Sequence, residues 1–142
     1  MSGLTQQLTR FFAEYESANR EFDMQKISAL YADVFMFGKP QGVQAVKKED
    51  FLKVLPKRKE FFKTVGLASS KVASLDVSSL DPNYALAKVG WTMRFERSPG
   101  VFVESDNSAT YILLMTGDSF QIVFQLDHQD LMAKVKDLGL LK

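Results

Sequence analysis

Three turn signals divide the second half of this chain into long β-rich runs, and that punctuation constrains the fold more than any other feature. Asp81-Pro82-Asn83 has turn chemistry, Ser98-Pro99-Gly100 sets Pro before Gly as a type II turn prefers, and Thr116-Gly117-Asp118-Ser119 is a third turn. Between them, residues 68–80, 84–97, 101–115 and 120–126 are rich in β-branched and aromatic side chains. Three hairpins in succession predict a four-stranded antiparallel meander.

Successive side chains on a strand point to opposite sides, so alternation sorts the meander into two faces. Ala85, Ala87, Val89, Trp91, Met93 and Phe95 share one face, the core face, while Leu86, Lys88, Thr92, Arg94 and Glu96 share the other. Pairing core to core across a three-residue loop at Ser98-Pro99-Gly100 places Val101, Val103, Ser105, Asn107, Ala109, Tyr111, Leu113 and Met115 inside. The same register sets Arg94 opposite Glu104 outside, a favourable cross-strand pair. A four-residue loop at the last turn carries the inner face on to Phe120, Ile122, Phe124 and Leu126. Gly90 marks a bend or bulge that lets such long strands curve around helices.

In the first half, Leu4, Leu8, Phe11, Phe12, Tyr15, Ala18 and Phe22 recur at helical spacing. Asp23 suits the N-cap of a short helix over residues 24–30, with Ile27, Leu30 and Tyr31 inward. Residues 33–37 read as a short strand and residues 38–42 as a loop. Residues 48–65 are helical again, with a kink or break expected at Pro56, which lacks a backbone donor. The lysines of this helix read as a solvated face, because Glu49, Asp50 and Glu60 intervene. At the end, Asp127 suits the cap of a final helix with Leu131, Val135 and Leu138 inward and Gly139 closing it. The expected fold is α+β: two or three helices packed on the concave face of a curved, cone-shaped, four- to five-stranded antiparallel sheet.

Composition bounds the rest. A chain of 142 residues without repeats or linkers suits one domain over residues 1–142. A net charge of +1 gives no electrostatic case for nucleic acid or for an anionic membrane as partner. The absence of cysteine excludes disulfides, thiol nucleophiles and thiolate metal sites, and fits a cytoplasmic location. Residues 1–10 lack the apolar core of a signal peptide, and no segment approaches the ~20 apolar residues of a membrane span. Twelve phenylalanines point to an aromatic-rich interior.

The element order, with Leu30-Tyr31-Ala32-Asp33 leading into a short strand, resembles the nuclear transport factor 2-like superfamily of cystatin-like folds. That superfamily includes the ketosteroid isomerases and the SnoaL-like polyketide cyclases, and the resemblance covers roughly residues 4–126. It implies a sheet curled into a cone, a long first helix across it, and a mouth that holds a small, mostly apolar ligand. Against the isomerases, Tyr15 falls on the oxyanion-hole tyrosine, Lys39 falls where the family has its aspartate base, and the second oxyanion-hole acid falls at or near Tyr111. Moving a proton beside a carbonyl needs a base in reach and donors for the oxyanion. Lys39 would be a base only if burial depressed its pKa strongly, and a Gly-Lys-Pro-Gln-Gly loop gives no sign of burial. Steroid isomerisation is therefore not expected.

The candidate ligand-binding residues are Tyr15, Trp91, Met93, Asn107, Tyr111 and Phe124. Tyr15 sits on the buried stripe of the first helix, and Asn107 and Ser105 bring polar groups onto an apolar inner face, as a ligand pocket requires. Water or core packing would satisfy the same groups. Asp33 reads as a local cap or bridge, and His128, the only histidine, as a surface residue of the last helix. No second histidine or paired carboxylate stands beside it, so neither metal nor cofactor is implied. Two functions follow. One is a pocket protein for a small apolar molecule, either a binder or an isomerase, cyclase or dehydratase acting on a carbonyl compound. The other is a non-catalytic dimerisation or scaffold module whose cone is filled by its own side chains. A homodimer is expected through the outer sheet face, where Ile112, Leu114 and Val123 stand among Thr92, Thr110, Gln121 and Gln125, unless the last helix covers them.

Overall fold

The computed structural model describes residues 2–140. Helix α1 (Ser2–Glu21) is followed by α2 (Met24–Ala29), strands β1 (Tyr31–Lys39) and β2 (Gly42–Lys47), and helix α3 (Lys48–Thr64). Strands β3 (Leu67–Asp81), β4 (Tyr84–Ser98), β5 (Val101–Thr116) and β6 (Ser119–Asp127) form the expected meander, and α4 (Leu131–Asp137) closes the order. Helix α1 buries Leu8, Phe11, Phe12 and Ala18, the stripe that its periodicity announces. Asp23 caps α2, accepting from the Lys26 amide at 3.2 Å.

Helix α3 runs unbroken through Pro56, contrary to the expected kink or break. Pro56 is exposed, so water can take over the carbonyl that its missing N–H leaves free. The helix stops at Gly66, whose φ of 87° is left-handed and where a Cβ would strike the Glu96 carbonyl.

The sheet has six strands in the order β2-β1-β6-β5-β4-β3, not four or five, and it is curved and unclosed. It is antiparallel except where β1 pairs parallel with β6. The segment expected as a loop over residues 38–42 is instead the end of β1, a tight Pro40-Gln41 turn and the start of β2. Across β4 and β5 the register is the expected one, with Trp91 opposite Asn107 and Arg94 opposite Glu104. Ala73 is the extra residue of a bulge in β3, which lies opposite Gly90 and not in Gly90's own strand. A Cβ on Gly90 would collide with the Ser74 hydroxyl, so the glycine makes room for that bulge.

A second bulge revises the inner face. Ile112 pairs with Phe124 while Leu113 pairs with Ile122, which leaves Val123 as the additional residue of β6. An extra residue shifts the side-chain alternation by one. Phe120 and Ile122 point inward as expected, but beyond the bulge Gln125 is the buried residue and Phe124 lies opposite Ile112 on the outer side. Gln125 accordingly leaves the outer-face set.

The helices share the concave side. Phe11 and Phe12 of α1 meet Phe120 and Tyr111 edge-on or tilted, and Phe51 of α3 meets Tyr31 and Phe35. Helix α4 buries Val135 with Val65, Met93 and Phe95, so it closes one end of the concave side and does not cover the outer sheet. Asp130, not Asp127, caps α4, accepting from the amides of Met132 and Ala133. Among the described residues no helix is long and apolar enough to cross a membrane.

Candidate functional site

Between α1, α3, the start of β3 and the inner face of β4 to β6 lies a cavity of about 450 Å³. Helical spacing on α1 and strand alternation on β4 and β5 bring Tyr15, Trp91, Met93, Asn107 and Tyr111 to its wall. The Tyr15 ring lies tilted against Trp91 at 5.4 Å and edge-on to Tyr111 at 6.0 Å, measured between ring centroids. Phe124, the sixth candidate, does not reach this cavity, because the bulge at Val123 turns it to the other face. Gln125 and Asp127 from β6 stand in the cavity wall instead.

Tyr15, Tyr31, Gln125 and Asp127 form a hydrogen-bonded chain, while Trp91 with Tyr111 and Ser105 with Asn107 form separate pairs. Tyr31 donates its hydroxyl to Gln125 Oε1 at 2.9 Å, and the Tyr15 and Tyr31 hydroxyls are 3.3 Å apart. Gln125 Nε2 donates to Asp127 Oδ1 at 3.2 Å, and Trp91 Nε1 donates to the Tyr111 hydroxyl at 3.2 Å. Asn107 accepts from Ser105 at 3.3 Å, but its Nδ2 is buried without a partner. A buried donor without an acceptor is costly, roughly 1–3 kcal/mol, and is the kind of group that a ligand oxygen satisfies.

Burial sets the proton affinities. Loss of hydration raises Tyr31 and Tyr111 well above the usual tyrosine value, and it raises Tyr15 above that value too. The Tyr15 hydroxyl therefore keeps its proton at neutral pH and can donate it in a hydrogen bond to a developing negative charge. Loss of hydration also raises Asp127, opposed by the Gln125 hydrogen bond and then by the charge of Arg58. A carboxyl held partly out of water at a cavity wall can both take and return a proton.

The other singled-out residues lie elsewhere. Lys39 is exposed at the β1–β2 turn, and Asp33 is exposed and pairs with Lys48 at 3.6 Å. His128 is exposed, with Nε2 2.7 Å from the Thr110 hydroxyl. No group of three or more potential metal ligands occurs among the described residues. Sequence reasoning turned Tyr31 inward without assigning it to the site, and it missed Gln125 and Asp127. Only the position of the bulge could have revealed those two.

A curved sheet under helices, with an aromatic cavity that also holds inward polar groups, defines an α+β pocket fold of the nuclear transport factor 2-like kind. Residues 3–130 match the family described as NTF2-like protein (DUF6841), and the chain belongs to that family. Among solved structures it is similar to Aln2 from a Streptomyces species, with a TM-score of 0.77 at 13% identity over 94% of this chain and 96% of that one. An NTF-2 like protein of unknown function from Shewanella oneidensis gives 0.71 at 12% identity, covering 88% of this chain and 98% of that one. An NTF2-like protein with a cystatin-like fold from Novosphingobium aromaticivorans gives 0.71 at 14% identity, covering 97% and 88%. At such identities the likeness is one of fold. No curated protein matches the sequence.

Proposed function

We propose that this protein binds a small, mostly apolar carbonyl compound in its cone and moves a proton on it. The observation that carries the reading is the joint wall of the cavity. Aromatic faces from Trp91 and Tyr111 line the same cavity as the unpartnered Asn107 amide, the Tyr15 hydroxyl and the half-buried Asp127 carboxyl. In this reading the ligand's hydrocarbon lies on the rings, and its carbonyl oxygen accepts from Tyr15 or Asn107. The Asp127 carboxylate takes a proton from the adjacent carbon, and the electron pair moves onto the carbonyl oxygen as an enolate. Asp127 then returns the proton. Isomerases, cyclases and dehydratases share this step.

The test is exchange of the α-hydrogens of an apolar ketone in deuterated buffer, followed by NMR. Exchange accelerated by the wild type and slowed on the order of 100-fold or more by Asp127→Asn supports the reading. Exchange no faster than in buffer, or untouched by Asp127→Asn, contradicts the proton-transfer part.

A second, compatible reading concerns assembly, namely that two copies pair through the outer sheet face. It is favoured by the row of Ile112, Leu114, Phe124 and Leu126, which is partly exposed and uncovered among the described residues; Val123, expected in this row, is instead the bulge residue beside it.

A further inference from the structure

The cavity mouth carries a charge asymmetry that a neutral ligand leaves unused. Five cationic side chains line it: Arg20 from α1, Arg58, Lys59 and Lys63 from α3, and Lys71 from β3. The acidic residues in the same wall are Glu16 and Asp127. The chain as a whole has a net charge of only +1, so the excess is local. None of the five takes part in an ion pair among the described residues, where the pairs are Lys26 with Glu21 and Lys48 with Asp33.

Folding also separates charges that alternate in the sequence. Glu49 and Asp50 sit in the first turn of α3, away from the cavity wall, whereas Arg58, Lys59 and Lys63 on later turns line it. Two of these cations lie over aromatic rings that belong to the same wall. Arg58 Cζ is 5.2 Å from the Phe62 centroid and Lys59 Nζ is 4.4 Å from the Phe22 centroid. Such contacts hold a cation beside an apolar surface without neutralising it.

We propose that the ligand is an amphipathic anion, with its apolar body against Trp91, Met93 and Tyr111 and a carboxylate or phosphate headgroup at the mouth between α1 and α3. This rests on the pocket reading above and specifies the ligand class. A convergent set of unpaired cations raises the local concentration of anions and favours their charge as it leaves water. The cavity of about 450 Å³ has the room of about fifteen waters at ~30 Å³ each, enough for a body of about ten heavy atoms.

Isothermal titration calorimetry of the full chain with octanoate, octyl phosphate and octanamide tests this. At low ionic strength one or both anions should bind at least about 10-fold more tightly than octanamide, and the advantage should shrink in about 0.5 M salt. The tighter of the two anions identifies the headgroup. Arg58→Gln with Lys63→Gln should bring the anion advantage within about 2-fold, and an unchanged circular-dichroism spectrum and thermal midpoint report that the fold is intact. Equal binding of octanamide, or an advantage that survives the double substitution, overturns the anionic ligand and leaves the pocket standing. Binding of none of the three overturns both.

Discussion

Asp127 ends β6 at the cavity wall, and its environment has a thermodynamic signature. Burial raises its folded pKa above the ordinary value of 3.8, so the native state holds this proton when the unfolded chain has already lost it. Stability must then fall as pH rises from about 3.8 through the folded value. Asp127→Asn should remove that fall and leave the protein more stable than wild type at neutral pH. Urea midpoints at pH 4 and pH 7 check it, and a variant less stable at pH 7 would contradict the burial argument. Tyr31→Phe should cost about 1–3 kcal/mol, because the buried Gln125 oxygen loses its donor. At this scale the sequence was legible where geometry is regular: Tyr15 follows from helical spacing, and Trp91, Met93, Asn107 and Tyr111 from strand alternation. Phe124 failed because one extra residue at Val123 inverts the faces beyond it. Asp127 was misread because Asp-His-Gln-Asp offers two cap-capable acids, and Asp130 is the one that caps.

At the scale of elements, long strands and both long helices were readable, whereas short and non-local features were not. Strand β2 is an edge strand with nearly every residue exposed, so it carries no apolar alternation to betray it. The parallel pairing of β1 with β6 joins segments some ninety residues apart and leaves no local signal. Pro56 was expected to break α3, but the surrounding packing keeps the helix whole. Leu55 and the aromatic residues Phe51, Phe61 and Phe62 anchor it on both sides of the proline. Proline still lacks a helical donor there, so Pro56→Ala should raise stability, by up to about 3 kcal/mol on intrinsic propensity. Denaturant unfolding checks this. A destabilised variant would show that the proline geometry itself is needed to lay α3 along the sheet.

At the scale of the whole molecule, the helices lie over the concave side around the cavity, and among the described residues nothing covers the outer side of β1, β6 and β5. Val34 is 57% exposed and Met36 is 36% exposed beside the row from Ile112 to Leu126. That row carries no formal charge, which makes it complementary to itself, and we propose a second copy of the chain as its partner. Light scattering at micromolar concentration should give a dimer mass, and Leu114→Asp should give a monomer. A wild-type monomer, or a dimer indifferent to Leu114→Asp, would contradict it. The central claim is the ligand-binding cone, and Trp91, the only tryptophan, lines it and reports on it directly. Titrating the protein with an apolar ketone such as 2-nonanone should give a saturable, one-site change in tryptophan emission. Filling the wall with Ser69→Phe should abolish that change. A linear response that never saturates, identical in wild type and Ser69→Phe, would mean that the cone takes no ligand.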